Sequence, residues 1–279
     1  MAEDSAVADL FRLDGRVALI TGGAGLLGRR YCEALLEAGA RVVIGDLDGD
    51  GAAALAQQLG DQTLGQRLDV ADQESVQAAV AASVARFGRL DILVNNAALT
   101  VRGGSQSLKP EDYFAPFEHY RRDVWEQAVA VNLTGMVLCA QAAGRQMLAQ
   151  GGGVIVNIAS TYGVVAPDQR LYEGVKSPYV EGGFNTPVSY AVTKTAVLGL
   201  TRYLATYWGR QNIRVNALTP HGVYDQHDDA FVRNFVYRSP LGRMARNDEY
   251  RGALLFLVSD ASSYMTGANL IVDGGWTAW

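Results

Sequence analysis

The sequence has few cysteines, few prolines and no long apolar run. Its two cysteines, Cys32 and Cys139, lie far apart in helix-like apolar stretches, so we expect buried free thiols in a reducing compartment rather than a disulfide framework. Seven prolines and no Gly-X-Y period exclude a collagen-like chain. No apolar run reaches the roughly 18 residues of a spanning helix, so we expect no membrane partner.

Positive charge is also scarce. The chain has 24 basic and 29 acidic residues and a net charge of −5, which argues against a nucleic-acid partner. Residues 1–9 are acidic and lack the apolar core of a signal peptide, so we expect a cytoplasmic protein. His227, Asp228 and Asp229 lack paired ligand spacing, so we predict no metal site.

Apolar residues make up 49% of the 279 residues, which excludes a disordered chain. Helix-like stretches rich in alanine and leucine alternate with short β-branched runs, which are Val17–Thr21, Arg41–Gly45, Asp91–Asn95, Val154–Ile158, Ile213–Leu218, Asn269–Val272 and, more weakly, Leu64–Leu68. This alternation predicts an α/β fold, a single doubly wound Rossmann domain over residues 1–279 with a seven-stranded parallel sheet and helices on both faces.

Two long stretches, residues 99–122 and 164–187, fit neither helix nor strand. Both follow predicted strands and therefore lie at the carboxyl edge of the sheet, where open α/β folds bind ligands. Loops of this length in a compact domain are usually functional, so we interpret them as insertions on the substrate side.

Glycines are concentrated at the first strand–helix junction. Gly22 permits a tight turn, Gly25 lets the backbone approach a pyrophosphate, and Gly28 lets the helix pack close to the strand. The amides of Leu26 and Leu27 then open the helix and face the phosphates. This pattern predicts a dinucleotide site.

Cofactor choice depends on the end of the second strand, eighteen residues after the last of these glycines. Asp46 stands there, and a carboxylate can accept hydrogen bonds from both ribose hydroxyls of NAD while repelling the 2′-phosphate of NADP. We assign Asp46 and its neighbour Leu47 to the cofactor, which we predict is NAD, because no basic residue follows before Arg67. Arg29 and Arg30 are expected to be surface or subunit contacts.

Several further motifs accompany this turn, and they are Asp69-Val70, Asn95-Asn96-Ala97-Ala98, Asn132, Ser160, Tyr190–Lys194, Asn212–Asn216 with Pro220, and Thr266-Gly267 through Val272–Gly275. With them the whole chain resembles the short-chain dehydrogenase/reductase family. The resemblance implies an NAD(P)-dependent oxidoreductase acting on a small-molecule substrate, usually as a homodimer or homotetramer. It places Asp69 and Val70 beside the adenine, Asn96, Ala97 and Ala98 beside the ribose, and Pro220 and Val223 beside the nicotinamide carboxamide.

The chain departs from the family pattern in places. The glycines are spaced three apart as in the extended branch, and Ala98 replaces the usual glycine. His221 follows Pro220, where we expect a loop-structural role or a substrate contact. Asp225 replaces the expected threonine, which weakens one pyrophosphate contact. Trp276 and Trp279 are expected to be core or subunit contacts.

Oxidation of an alcohol needs a base for the hydroxyl proton, and a tyrosine with a pKa of about 10 is a poor one. Lys194 stands one helical turn after Tyr190, where its ammonium can stabilise the phenolate and lower that pKa. Ser160 ends the predicted fifth strand and can hold the substrate oxygen. By resemblance, Asn132 holds a water that connects Lys194 to solvent.

A second pair, Tyr172 and Lys176, has the same spacing and follows Ser160 by only 12 residues. Glycines and prolines surround it and oppose a helix. An uninterrupted helical run follows Tyr190, and Thr186 is predicted to cap it with Pro187 at its first position. We therefore assign Tyr190 as the catalytic residue and Tyr172 to the substrate loop or to packing.

The loops carry basic and tyrosine residues suited to a polar or phosphorylated ligand. These are Arg102, Lys109, His119, Arg121, Arg122, Arg170, Tyr172, Lys176, Tyr179 and Tyr237. The segment from Tyr162 to Gly174 and the long insertion also resemble oxidoreductases of surface-sugar and flagellin modification, which suggests a sugar hydroxyl as the substrate. Two alternatives remain: an NADPH-dependent 3-ketoacyl-type reductase, and a non-catalytic NAD-binding scaffold.

Overall fold

The computed structural model describes residues 6–99, 108–176 and 185–279. Its seven strands are β1 (Val17–Thr21), β2 (Arg41–Asp46), β3 (Thr63–Arg67), β4 (Ile92–Asn95), β5 (Gly153–Ile158), β6 (Ile213–Pro220) and β7 (Asn269–Val272). They form one parallel sheet in the order β3-β2-β1-β4-β5-β6-β7. The order reverses between β1 and β4, where a doubly wound sheet opens a crevice for a ligand.

Helices cover both faces of this sheet. They are α1 (Leu26–Glu37), α2 (Gly49–Leu59), α3 (Gln73–Phe87), α4 (Pro110–Tyr113), α5 (Arg122–Val129), α6 (Gly135–Gln150), α7 (Val188–Trp208), α8 (Asp229–Arg238) and α9 (Arg251–Val258). The predicted α/β class and seven-stranded parallel sheet are therefore confirmed.

The apolar strands are buried because side chains of alternate residues enter opposite layers. In β1, Ala18 and Ile20 pack with α1 and α9, whereas Val17 and Leu19 pack with α3 and α6. Every β1 residue is consequently buried, which is why this strand reads as a continuous apolar run.

A π-helical turn, Ala130–Thr134, joins α5 to α6. In the described part of the chain, the stretch Arg122–Gln150 is long and apolar enough to cross a membrane by length and composition, with a mean hydropathy of 1.2. Half of the apolar 18-residue segment within this stretch is buried inside the protein. Helix α6 contributes Cys139, Ala143 and Met147 to the core. The core helix of a doubly wound sheet meets the same criterion.

The described residues of the two insertions contain structure that the sequence did not predict. Residues 108–122 contain α4, and Leu108, Tyr113 and Phe114 form a small cluster with Leu99. Residues 169–172 form a 3₁₀ turn. The substrate-side candidates Arg102 and Tyr179 lie outside the described residues.

Candidate active site

The glycine turn between β1 and α1 has the close packing that a phosphate cradle needs. A Cβ on Gly28 would lie 2.1 Å from the Gly22 carbonyl oxygen, and one on Gly22 would lie 2.9 Å from the Ala97 Cα. Gly22 also has φ of +62°, which favours glycine. The amides of Leu26 and Leu27 open α1 and have no partner within the helix, so they are available to an anion. The turn fits a dinucleotide pyrophosphate.

The end of β4 braces this turn. The Asn96 side-chain amide donates to the carbonyls of Thr21 and Gly22, each at 3.0 Å. The Thr21 hydroxyl in turn accepts from the backbone N–H groups of Asn96 and Ala97. The Asn96 side chain therefore shapes the turn, a role that sequence reasoning missed because it depends on the pairing of β1 with β4.

The Asp46 carboxylate lies at the mouth of the turn. It accepts hydrogen bonds from the Ala24 amide at 3.0 Å and from the Asp48 amide at 3.1 Å. Arg67, far away in sequence, pairs in register with Asp46 on the neighbouring strand β3. Distance along the sequence therefore hid a basic residue that stands opposite Asp46 in the sheet.

Other basic residues near the turn are already paired. Arg29 and Arg30 both bind Glu33, at 3.1 and 2.8 Å.

After β3, the backbone amide of Asp69 donates to the Ser75 hydroxyl, and Val70 packs where a Cβ on Gly135 would collide. This segment is thereby held at the carboxyl edge of the sheet.

Three of the predicted catalytic side chains meet beyond β5. Ser160 follows that strand, and its hydroxyl is hydrogen-bonded to the phenol of Tyr190 near the start of α7. The Lys194 Nζ lies 5.8 Å from the centre of the Tyr190 ring and donates to the Ile158 carbonyl at 2.7 Å.

Burial controls the protonation of this group. It raises the pKa of Tyr190, and the hydrogen bond from Ser160 only partly offsets the effect. Burial also lowers the pKa of Lys194 to about 8. The expectation that Lys194 brings the Tyr190 pKa below its ordinary value is therefore wrong for this structure, where desolvation is the larger effect.

Asn132 is fully buried in the π-helical turn. Its Oδ1 accepts from the Leu99 amide at 2.7 Å, and its Nδ2 donates to the Thr193 hydroxyl at 3.3 Å. The side chain therefore ties the helix to α7 one residue before Lys194. Its role in holding a water stays a prediction.

The competing pair is separated by the structure. Tyr172 ends a 3₁₀ turn, so Lys176 does not stand one α-helical turn away, and Lys176 is exposed. The Tyr172 hydroxyl lies 2.8 Å from that of Thr186. The predicted Thr186 cap of α7 was wrong, because Pro187 occupies the cap position and the structure gives α7 no side-chain cap.

The segment after β6 packs against an aromatic cluster. The Thr161 hydroxyl donates to the Pro220 carbonyl at 3.3 Å, and Val223 bridges to Ala245. His221 lies between Phe235 and Trp276, with ring centres 4.9 and 4.3 Å away.

Burial also lowers the pKa of His221 to about 4, so the ring is neutral at physiological pH. Its Nε2 is buried and lacks a hydrogen-bond partner within the described residues. Most contacts of the His221 side chain are therefore packing contacts with aromatic rings. Trp276 is buried in this core, whereas Trp279 is 79% exposed.

Most guanidinium groups on the substrate side already bind carboxylates. Arg121 pairs with Asp123, Arg122 with Glu126, and Arg170 with Asp168. Tyr237 is 91% exposed on α8. These pairs weaken the interpretation of the basic residues as phosphate ligands. Among the described residues, no group of three or more histidine, cysteine or acidic side chains could hold a metal.

Sequence reasoning gave no role to the Tyr162 phenol or to Arg238. Tyr162 follows Ser160 by two residues, and its phenol is hydrogen-bonded to that of Tyr172. Arg238 ends α8, binds Asp168 and lies 4.9 Å from the Trp276 ring centre. The sequence could have indicated a site role for Tyr162, because it stands two residues after Ser160. It could not have indicated one for Arg238, which is far away along the chain.

Comparisons with known proteins agree with this geometry. Residues 16–177 match a family model described as short chain dehydrogenase, and residues 175–277 match one described as enoyl-(acyl carrier protein) reductase. D-threitol dehydrogenase from Mycolicibacterium smegmatis is 38% identical, with 99% of this chain and 98% of that protein covered. An NAD-dependent glycerol dehydrogenase from Listeria innocua is 33% identical, with 96% of each covered.

Among solved structures, a gluconate 5-dehydrogenase from Burkholderia cenocepacia in complex with NADP and tartrate is 36% identical. Its TM-score is 0.84, and the match covers 98% of this chain and all of that one. The chain belongs to the short-chain dehydrogenase family. It is an oxidoreductase that acts on hydroxyl groups and uses a nicotinamide cofactor.

Proposed function

We propose that this enzyme is an NAD-dependent dehydrogenase that interconverts a secondary alcohol and its ketone, with a polyol or sugar derivative as substrate. The observation that carries the proposal is the meeting of Ser160, Tyr190 and Lys194 after β5, at the same carboxyl edge of the sheet as the glycine turn that follows β1. Relatives named for threitol and glycerol oxidation support a polyol. The ion-paired guanidiniums favour a neutral substrate over a phosphorylated one.

In this proposal Tyr190 is the general acid and base. Ser160 donates a hydrogen bond to the substrate oxygen and orients it towards the phenol. Below pH 8 the Lys194 ammonium places a positive charge beside Tyr190, which favours phenolate formation when the alcohol proton is taken. A nicotinamide cofactor held at the glycine turn would supply the acceptor or donor of the hydride. Asn132 holds α7 in place and is proposed to position a water beside Lys194.

We propose NAD rather than NADP because two backbone amides hold the Asp46 carboxylate at the mouth of the turn. The remaining cofactor contacts are proposed at Leu47, Asp69, Val70, Asn96, Ala97, Ala98, Pro220 and Val223. A second candidate is an NADPH-dependent ketoacyl-type reductase, favoured by the match to the enoyl-(acyl carrier protein) reductase model and by Arg67 beside Asp46. Rates with NAD and NADP on the same alcohol separate the two.

The catalytic assignment is tested by replacing Tyr190 with phenylalanine. General acid–base catalysis contributes roughly 10² to 10⁴ in rate, so Tyr190→Phe should lose most turnover. NAD binding, measured by equilibrium dialysis, should be retained. Tyr172→Phe is the matched control and should still oxidise a simple secondary alcohol, followed by NADH absorbance.

The opposite pattern, in which Tyr172→Phe abolishes turnover and Tyr190→Phe does not, would show that the assignment is wrong. Failure of the wild type to reduce NAD with any alcohol or sugar in a broad panel would instead favour a non-catalytic NAD-binding scaffold.

We also propose that residues 1–279 act as one domain, because the strands of a single sheet extend from Val17 to Val272. Exposed Tyr203 and Tyr207 on α7 support assembly into a homodimer or homotetramer, which light scattering would measure. The buried free thiols of Cys32 and Cys139 support a cytoplasmic location.

A further inference from the structure

We propose that Asn157 is a positioning residue for the reaction: its buried side chain fixes where α7 lies along β5 and so holds Lys194 level with the end of that strand. The inference rests on the proposed dehydrogenase function. It adds to that function a residue that acts only through α7 and to which sequence reasoning gave no role.

Asn157 connects three elements of the core. It stands in β5 in register with Asn95 of β4, and its Oδ1 accepts a hydrogen bond from the Asn95 Nδ2 at 2.9 Å. Its Nδ2 donates to the Thr201 hydroxyl of α7 at 3.0 Å. All three residues are at most 1% exposed, so both bonds are shielded from solvent. The Asn157 side chain therefore ties α7 to the centre of the sheet.

The direction of the bond to α7 is set by the helix itself. The Thr201 O–H donates to the Val197 carbonyl, one turn earlier, at 2.8 Å. A hydroxyl has one proton, so the Thr201 oxygen can only accept from Asn157. The Asn157 Oδ1 is already bonded to Asn95, so reversing the Asn157 amide would lose both bonds. One orientation of this side chain is thereby specified.

The tie lies at a matched distance from the reacting groups. Thr201 follows Lys194 by seven residues, so both are buried on one face of α7 and stand about 10 Å apart along its axis. Asn157 precedes Ser160 by three residues, which also span about 10 Å of extended chain. The equal spans bring Lys194 level with the end of β5, where its Nζ donates to the Ile158 carbonyl at 2.7 Å.

Apolar packing alone does not fix this height. Val197 of α7 packs with Ala159 and Ala217, and the hydrophobic effect that favours such contacts is non-directional. These contacts determine which face of α7 meets the sheet. The hydrogen bonds of Asn157 are directional and buried, so a shift of α7 along β5 would leave polar groups unpaired at a cost in free energy.

The loop after β5 responds to the position of α7 as well. Gly163 closes the 3₁₀ turn that begins after Ser160, and a Cβ on Gly163 would lie 2.5 Å from the Lys194 carbonyl oxygen. Because the contact is so close, a shift of α7 displaces this turn. The tie at Asn157 therefore positions both the lysine and the serine.

Thr201→Val tests the tie without altering the strand that leads to Ser160. The variant keeps the volume of the α7 side chain but leaves the Asn157 Nδ2 without its acceptor. Thr201→Ser keeps the acceptor and is the conservative variant. Thr206→Val is the matched control, because it removes an exposed hydroxyl that bonds only within α7.

NADH formation is measured with butane-2,3-diol, or with the alcohol of a broader panel that the wild type oxidises fastest. kcat is expressed per NADH-binding site, so that unfolded protein does not count. Thr201→Val should lower kcat by about 5- to 50-fold, because a displacement of about 1 Å can cost about 10²-fold. KM for the alcohol and for NAD should change far less than kcat, and Thr201→Ser and Thr206→Val should match the wild type.

A crystal structure of Thr201→Val gives a measurement that does not depend on activity. The Lys194 Nζ, which lies 2.7 Å from the Ile158 carbonyl oxygen, should move beyond hydrogen-bonding distance. Thr201→Ala serves if Thr201→Val does not fold, because a water can then pair with both the Asn157 amide and the Val197 carbonyl. That water is not part of α7, so kcat should fall in this variant too.

Wild-type kcat in folded Thr201→Val or Thr201→Ala would overturn the inference and leave the dehydrogenase function intact. An unchanged distance from Lys194 to Ile158 would also overturn it. A lower melting temperature with unaltered kcat would show that the tie only stabilises the core, which contradicts the inference as well. A wild type that reduces NAD with no alcohol of the panel would instead reject the proposed function itself.

Discussion

The buried ammonium of Lys194 is expected to lower the free energy of unfolding of the protein. Its side chain is 2% exposed, and burial lowers its pKa from 10.5 to about 8. Between pH 8 and 10.5 the unfolded chain therefore carries a proton that the folded chain has released, so stability rises with pH in this window. Below pH 8 both states are protonated, and the folded state carries the full cost of a buried ammonium.

The size of this cost follows from the pKa difference. At about 1.4 kcal/mol per pKa unit, the charge costs about 3 kcal/mol at pH 7 and about 1 kcal/mol at pH 9.5. Lys194→Met removes the charge with little change in length but also loses the hydrogen bond to the Ile158 carbonyl, worth about 1 kcal/mol. The net expectation is a gain of roughly 2 kcal/mol at pH 7 and about none at pH 9.5.

The assay is urea denaturation of the cofactor-free protein at both pH values, with NADH formation measured in parallel. At pH 7 Lys194→Met should unfold at a higher urea concentration than the wild type, and its melting temperature should be higher by roughly 4 °C. The variant should have lost turnover. Lys176→Met, which removes an exposed ammonium of the competing pair, should show neither effect. A Lys194→Met difference independent of pH, or a destabilised variant at pH 7, would refute the reasoning.

Two further predictions concern the cofactor turn. Asp46→Ala should lower kcat/KM for NAD by about 10- to 100-fold, because charge-assisted hydrogen bonds are lost, and should not lower it for NADP. Initial rates with both cofactors measure this effect. An unchanged ratio of kcat/KM for NAD to that for NADP would contradict the prediction. Gly28→Ala should cost about 1–3 kcal/mol in urea denaturation and weaken NAD binding, because its Cβ would collide with the Gly22 carbonyl. Gly199→Ala, in α7 with open space around it, should instead stabilise by about 0.5–1 kcal/mol, and equal behaviour of the two variants would argue against close packing at Gly28.

The strands were predictable because parallel strands buried on both faces read as continuous apolar runs, and all seven lie within two residues of the predicted bounds. The glycine turn was predictable because its residues are adjacent in sequence. The hydrogen bonds that brace the turn were not predictable, because Asn96 reaches Thr21 and Gly22 only through the pairing of β4 with β1.

Contacts between distant residues explain what sequence reasoning missed or predicted wrongly. Arg67 is distant from Asp46 along the chain but stands in register with it, which sequence distance hides. Thr186 has the right residue type and position for a helix cap, yet its hydroxyl is paired with that of Tyr172, fourteen residues earlier. A local preference worth about 1 kcal/mol is easily outweighed by such a contact.

The two tyrosine–lysine pairs show which sequence signal was informative. Counting residues from Ser160 favours Tyr172, because the insertion lies between Ser160 and Tyr190 and lengthens the sequence separation. Helix continuity favours Tyr190, because an i,i+4 pair faces one side only when a helix joins its members. In the structure Tyr172 is hydrogen-bonded to Tyr162, and both tyrosines interact with Tyr190, so both reach the same site. Residue counting therefore identified a tyrosine near the site, whereas helix continuity identified the pair that lies one turn apart on α7, with Tyr190 hydrogen-bonded to Ser160.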